Sequence, residues 1–220
     1  MRYEEKWALR FQQLRMMEDE MHQQGISYVG GVDEVGRGPL AGPVVAACVV
    51  LPEDFYAYGI DDSKKVPAKR REELYETICH RALAYGIGQV EPDIIDEINI
   101  LRAAKKAMAQ AILACDRMLS VKGVQLDYLL IDGMEVEEVA IPQMAIIKGD
   151  ATCLSIAAAS IVAKVTRDRQ MEAYHLQYPG YDFDQNKGYG TPKHYEGLLK
   201  EGLCPIHRRS FLKNRSYPCK

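Results

Sequence analysis

Asp33 and Glu34 stand side by side at the end of a short apolar run, and Gly36-Arg37-Gly38 follows at once. Two more acids sit in comparable places. Asp132 precedes Gly133 at the end of the core-like run Leu126 to Ile131, and Asp150 follows Gly149 just past Met144 to Ile147. Taken singly, Asp132-Gly133 reads equally well as a turn and Asp150 as a helix N-cap. Three strand ends that each finish in an acid are harder to assign to turns alone. Functional groups of open α/β sheets gather at the carboxyl ends of the strands. If the first, fourth and fifth strands are parallel neighbours, Asp33, Glu34, Asp132 and Asp150 share one pocket. Four crowded carboxylates repel one another and hold protons unless cations lie nearby. Oxygen-only donors suit Mg²⁺ or Mn²⁺ rather than Zn²⁺. Two such ions about 3.5–4 Å apart can clamp the attacking and leaving oxygens of a phosphodiester.

Successive strand residues face opposite sides of a sheet. Asp33 and Glu34 therefore reach one site only if the strand bends there, and Gly36 and Gly38 permit a bend. The elements that must hold these groups follow from periodicity. Residues 3 to 24 form an amphipathic helix with Trp7, Phe11, Leu14 and Met21 on one face, ended by Gly25. Strands are expected at Ser27–Val35, Pro43–Leu51, Tyr85–Val90, Leu126–Ile131 and Met144–Ile147. The short link between the first two implies an antiparallel pair. Helices are expected at Ala68–Ala84, at Asp93–Leu119 with a break near Asn99, at Ala151–Tyr178 and at Pro192–Lys200. Small residues Ala157-Ala158-Ala159-Ser160 let the long helix lie close to the sheet. Alternating strands and helices make the chain α/β, with a five-stranded mixed sheet flanked by helices. It divides as an N-terminal accessory helix (1–25), a catalytic body (26–202) and a basic C-terminal segment (203–220).

Composition excludes several classes. The 220 residues are enough for one substantial core, and the net charge is −3. From Gln185 onward, however, eight cations face two acids, a local basic face of the kind that meets nucleic acid. The six cysteines form no C-x-x-C pair and read as reduced thiols. The longest apolar run, Pro43 to Leu51, is about half of a bilayer span. No membrane segment and a cytoplasmic location are expected. The five histidines show no metal-ligand spacing and receive no catalytic role.

The motifs resemble those of bacterial ribonuclease HII. The likeness runs from Asp33-Glu34-Val35-Gly36-Arg37-Gly38-Pro39-Leu40-Ala41-Gly42-Pro43 through Asp62-Ser63-Lys64-Lys65, Ile131-Asp132-Gly133 and Lys148-Gly149-Asp150. It continues in Ser155 to Arg169, Asn186 to Thr191 and His207-Arg208-Arg209-Ser210-Phe211. It departs at Val66 and at Ala151-Thr152-Cys153. The resemblance implies an RNase H-like fold and a metal-dependent endoribonuclease with Mg²⁺ or Mn²⁺ in a two-metal site. Asp33, Glu34, Asp132 and Asp150 would be the catalytic metal ligands, with Asp33 bridging both ions. One ion would activate water and the second would stabilise the leaving 3′ oxygen. The substrates implied are RNA–DNA hybrid and duplex DNA with embedded ribonucleotides, cut on the 5′ side to leave 5′-phosphate and 3′-hydroxyl ends. Gly36, Arg37 and Gly38 would grip the ribonucleotide by its 2′-hydroxyl and phosphate, and Tyr189 would pack on a sugar. Lys64 and Lys65 are expected to meet backbone phosphates. One or two of Lys164, Arg167 and Arg169, with His207-Arg208-Arg209, Lys213 and Arg215, are expected to supply a DNA-facing basic flank. A monomer is expected. The alternatives are a ribonuclease HIII-like enzyme needing RNA stretches, or a non-catalytic hybrid-binding protein.

Overall fold

The computed structural model describes residues 3–213. Helix α1 (Tyr3–Gln23) is followed by β1 (Val29–Val35) and β2 (Val44–Val50). Then come α2 (Ala68–Arg81), β3 (Ala84–Val90), α3 (Pro92–Ile98) and α4 (Ile100–Ser120). Strands β4 (Tyr128–Asp132) and β5 (Gln143–Ile146) lead into a 3₁₀ turn at Gly149–Ala151 and the long α5 (Leu154–Gln177). Two short helices follow, α6 (Phe183–Asn186) and α7 (Pro192–Glu201), and a 3₁₀ turn at Arg209–Phe211 closes the described order. The strands run β3-β2-β1-β4-β5 across one sheet. The β1–β2 and β2–β3 pairs are antiparallel, and β1–β4 and β4–β5 are parallel. The expected mixed sheet and its parallel trio are therefore present. The carboxyl ends of β1, β4 and β5 open on the same edge of the fold.

The expected break in the Asp93–Leu119 helix falls at Asn99. Its φ is 71°, and its side chain accepts from the N–H groups of Leu101 and Arg102, so it caps α4. Helix α6 was not anticipated, because four residues carry too little periodicity to register. The long helix begins at Leu154 rather than Ala151, since Gly149–Ala151 winds as a separate turn.

One face of the sheet is covered by α4, whose Ala104, Met108, Ile112 and Cys115 join Val32, Val44, Ala46 and Ile131 in one core. The other face is covered by α5, whose Ala157 to Val165 pack with Ala47, Val49 and residues of α1 and α2. The close seat of α5 requires glycine at position 31. A Cβ there would lie 2.1 Å from the main-chain carbon of Ser155. Helix α1 buries Phe11, Leu14 and Met21 while Trp7 is half-buried, as its spacing predicts. Among the described residues no helix is long and apolar enough to cross a membrane. Five cysteines are free, with Cys48, Cys115 and Cys153 buried. Cys219 lies outside the described residues.

Candidate active site

The acids are brought together by strand pairing. Val32 of β1 stands beside Ile131 of β4, so the next residues, Asp33 and Asp132, are adjacent on the face that α5 covers. Glu34 takes the opposite face, and the ladder to β2 continues unbroken to Val35 opposite Val45. The strand thus runs straight between the two acids, and the bend that Gly36 and Gly38 were expected to permit falls after them. The chain turns instead at Gly36, whose φ is 93°, and both acids reach Asp132 from the end of the strand. Asp150 arrives on the 3₁₀ turn after β5, whose Ile146 pairs with Asp132.

Electrostatics report the crowding. Burial, then the nearness of Glu34 and Asp132, push the Asp33 carboxyl well above its usual range. Burial chiefly raises Glu34, against the opposing pull of Arg37, with Asp132 adding to the rise. Burial followed by Asp62 and Asp132 raises Asp150. Lys64 is drawn upward by Asp150, Asp62, Asp33 and Asp132, which together outweigh its desolvation. One lysine therefore senses three of the four candidate acids together with Asp62. Its Nζ is 3.9 Å from Asp150 Oδ2, and its side chain is 81% exposed.

Each carboxylate already holds a partner. Asp33 Oδ1 accepts from the Glu34 N–H at 2.8 Å, and Asp132 Oδ1 from the Gly149 N–H at 2.7 Å. Arg37 Nη1 is 3.3 Å from Glu34 Oε1. With the side chains so placed, no three acidic, imidazole or thiol groups among the described residues are close enough to hold an ion. The donor chemistry nevertheless fits a hard divalent cation. All four candidates offer oxygen only, Asp33 is nearly dry, and Glu34 Oε2 is buried with no hydrogen-bond partner. A cation is what such an orphaned buried oxygen lacks.

The Gly36–Gly38 turn lies beside the acids. It is bordered by the loop after α6 and by residues 206–208: Leu40 N–H donates to Gly188 O, Gly42 N–H to Ile206 O and Arg208 N–H to Leu40 O, each at 2.8 Å. Gly38 approaches Tyr189 closely enough that a Cβ on it would be 3.5 Å from the ring. The ring itself is 46% exposed. Arg37 thus stands at Glu34, Lys64 at Asp150, and Tyr189 beside Gly38.

The expected basic flank is partly corrected. Arg167 and Arg208 are fully buried and His207 nearly so, and none of them can face DNA. Lys164 pairs with Asp168 at 2.7 Å, and Arg169 lies between Glu72 and Glu76. Arg215 lies outside the described residues. The reason is packing: α5 presents Ala163, Arg167 and Met171 on one inward stripe, with residues 41, 43 and 187 closing over Arg167 and residues of α6, α7 and 206–212 packed on Met171. The steps of four between these residues are a signal by which Arg167 could have been placed inside.

Other participants escaped notice in the sequence. Asp62, noted only as part of the Asp62-Ser63-Lys64-Lys65 motif, is the neighbouring charge that most raises Asp150. Ser160 donates to Ser63 Oγ at 2.8 Å and lies near enough to Asp33 to offset part of its rise, so α5 fastens the Lys64 loop beside the acids. From α1, Arg10 forks onto Asp61 at 2.7 and 3.0 Å and donates to Ala151 O at 2.8 Å.

Comparison with known proteins decides the family. The family model described as Ribonuclease HII matches residues 30–214. The chain belongs to the ribonuclease HII family. A ribonuclease HII from Caldanaerobacter subterraneus subsp. tengcongensis is 48% identical over 209 residues, 95% of this chain and 84% of that protein. The solved ribonuclease H2 from Pyrococcus horikoshii OT3 is 29% identical, with 83% of this chain and 93% of that one covered and a TM-score of 0.66. A chain of the PCNA:RNase HII complex from Archaeoglobus fulgidus is 28% identical, covering 82% and 93%, again at 0.66. As a member of the ribonuclease HII family the chain is a nuclease, and its sheet with flanking helices is the family's RNase H-like architecture.

Proposed function

We propose that the chain is a divalent-metal-dependent endoribonuclease that hydrolyses the RNA strand of RNA–DNA hybrids and nicks duplex DNA 5′ of a single embedded ribonucleotide. The observation that carries this reading is the convergence of Asp33, Glu34, Asp132 and Asp150 at one sheet edge, directly beside the Gly36–Gly38 turn. The four acids would hold Mg²⁺ or Mn²⁺. Such ions supply charge stabilisation at the phosphorus and a water of lowered pKa. The chain's own groups do the rest. Lys64 balances the acids and meets a backbone phosphate. Gly36, Arg37 and Gly38 engage the ribose 2′-hydroxyl, the one atom that separates RNA from DNA at a single nucleotide. Tyr189 offers an exposed ring for the neighbouring sugar. Catalysis by a single chain in the cytoplasm is part of the proposal, as are 5′-phosphate and 3′-hydroxyl products.

The test is a nick-mapping assay on duplex DNA carrying one ribonucleotide, with Mg²⁺ or Mn²⁺. A nick on the 5′ side is expected. Cleavage only within runs of ribonucleotides would support a ribonuclease HIII-like specificity instead. No cleavage with either metal would overturn the enzymatic reading.

A further inference from the structure

Two guanidiniums lie buried under the Gly36–Gly38 turn, and every hydrogen bond they make among the described residues runs to a main-chain carbonyl. Arg208 gives Nη2 to Gly36 O at 2.6 Å and Nη1 to Arg37 O at 3.1 Å, and it holds Gly42 O through Nε and Nη2 at 2.9 and 2.7 Å. Arg167 gives Nε to Pro43 O at 2.9 Å, Nη2 to Ala41 O at 3.1 Å and Nη1 to Lys187 O at 2.8 Å. The two side chains thus hold five carbonyls between Gly36 and Pro43, and Arg167 adds one from the loop that carries Tyr189. Gly36 fits so tightly on this support that a Cβ there would lie 2.3 Å from Arg167 Nε.

The orientation of the peptides follows. No peptide bond in the described chain is cis, and in a trans peptide the C=O and N–H point in opposite directions. With the Gly36 and Arg37 carbonyls drawn inward onto Arg208, the N–H groups of Arg37 and Gly38 face outward, away from that guanidinium. No hydrogen bond among the described residues takes up either N–H. Two adjacent outward N–H groups over buried positive charge form a donor pair for an electron-rich oxygen. Burying two cations is costly, and apolar side chains of similar volume would often stabilise the fold as well or better. A rigid guanidinium fork does what an apolar chain cannot: it fixes several carbonyls in one plane.

We infer that Arg167 and Arg208 are positioning residues for ribonucleotide discrimination, setting the peptide planes of Gly36–Gly38 from below without touching substrate. The inference rests on the proposed role of that turn as the ribose contact. Its test uses Arg167→Lys and Arg208→Lys, which retain the charge but lose the planar fork, each in an Asp33→Asn background that does not cut. Fluorescence anisotropy with Mn²⁺ compares a duplex carrying one ribonucleotide with the same duplex in all-DNA form, and thermal melts establish folding. The expected result is a fall of about ten-fold in preference for the ribonucleotide in at least one folded variant, with affinity for all-DNA duplex unchanged. A preference equal to the parent's in both folded variants overturns the inference. So does failure of both variants to fold, which would assign the pair to stability alone. A parent with no preference overturns the ribose-reading role itself, and the brace with it.

Discussion

At the scale of single residues, the acids and the adjoining Arg37 are expected to fail differently when changed. Asp33 is buried beside Glu34 and Asp132, so Asp33→Asn removes repulsion while Asn can still accept from the Glu34 N–H. Turnover should disappear and binding persist. The metal-free protein should melt higher by about 2–4 °C, the shift expected for about 1 kcal/mol in a chain of this size. A lower melting temperature, or unchanged cleavage, would remove Asp33 from the strained cluster. Arg37→Ala should leave cleavage of long hybrids nearly intact while weakening preference for an embedded ribonucleotide. Equal preference in a competition assay would separate Arg37 from recognition.

The same scale holds a pH prediction in the buried histidine pair. His207 Nδ1 accepts from the Cys204 N–H at 2.9 Å, which leaves its Nε2–H for His194 Nε2 at 3.0 Å. His194 Nδ1–H then reaches Tyr189 O at 2.9 Å. This chain is consistent only with neutral rings. Burial, followed by the nearness of His194, lowers His207 to about 4 from an ordinary 6.5, and burial also lowers His194. The unfolded chain therefore binds protons that the folded chain refuses. Stability from the pair is complete above about 6.5 and is lost as pH falls toward 4. The melting temperature of the native protein should drop more steeply over that window than that of His207→Gln, and parallel curves would refute the assignment.

At the scale of elements, α1 is tied to the site through two side chains. Glu18 Oε1 accepts from the Ser155 N–H and Oγ, both at 2.7 Å, and from Cys153 Sγ at 3.0 Å. A carboxylate from one helix thereby caps the first turn of α5, where the N-terminal dipole favours negative charge. Glu18→Ala should cost about 2 kcal/mol, seen as a drop of roughly 4–8 °C in the thermal midpoint. A change under one degree would show that α1 is only laid against the body. Periodicity made the existence of α1 and its buried face legible, because both are properties of a contiguous segment. It left Glu18 and Arg10 invisible as anchors, since their partners Ser155, Asp61 and Ala151 are remote in sequence. The break at Asn99 was legible for the opposite reason: its cap bonds reach only two and three residues ahead. Cys153, a departure from the family's motif, has a structural use here as one of the groups bound by Glu18.

At the scale of the whole molecule, residues 203–212 belong to the core rather than to a free tail. Ile206 and Leu212 pack with Ala41, Met171, Tyr181, Phe183 and Leu198, and Ala41 makes a bridge with His207. Truncation after Gly202 should abolish both the cooperative melt and activity, as followed by circular dichroism and the nicking assay. A folded, active truncation would detach this segment from the site. What the sequence by itself determined was local: the four acids at strand ends, the Gly-Arg-Gly turn and the alternation of strands with helices. Residue chemistry and short-range periodicity express those directly. Only the tertiary structure decided that Arg167 and Arg208 lie beneath the turn instead of on the surface, and that Asp62 joins the acids. It also decided that β1 runs straight through Asp33 and Glu34. Charge composition counts cations without regard to depth. Depth is set by which distant segments close over a side chain, here residues 41–43 over Arg167 and residues 36–42 over Arg208.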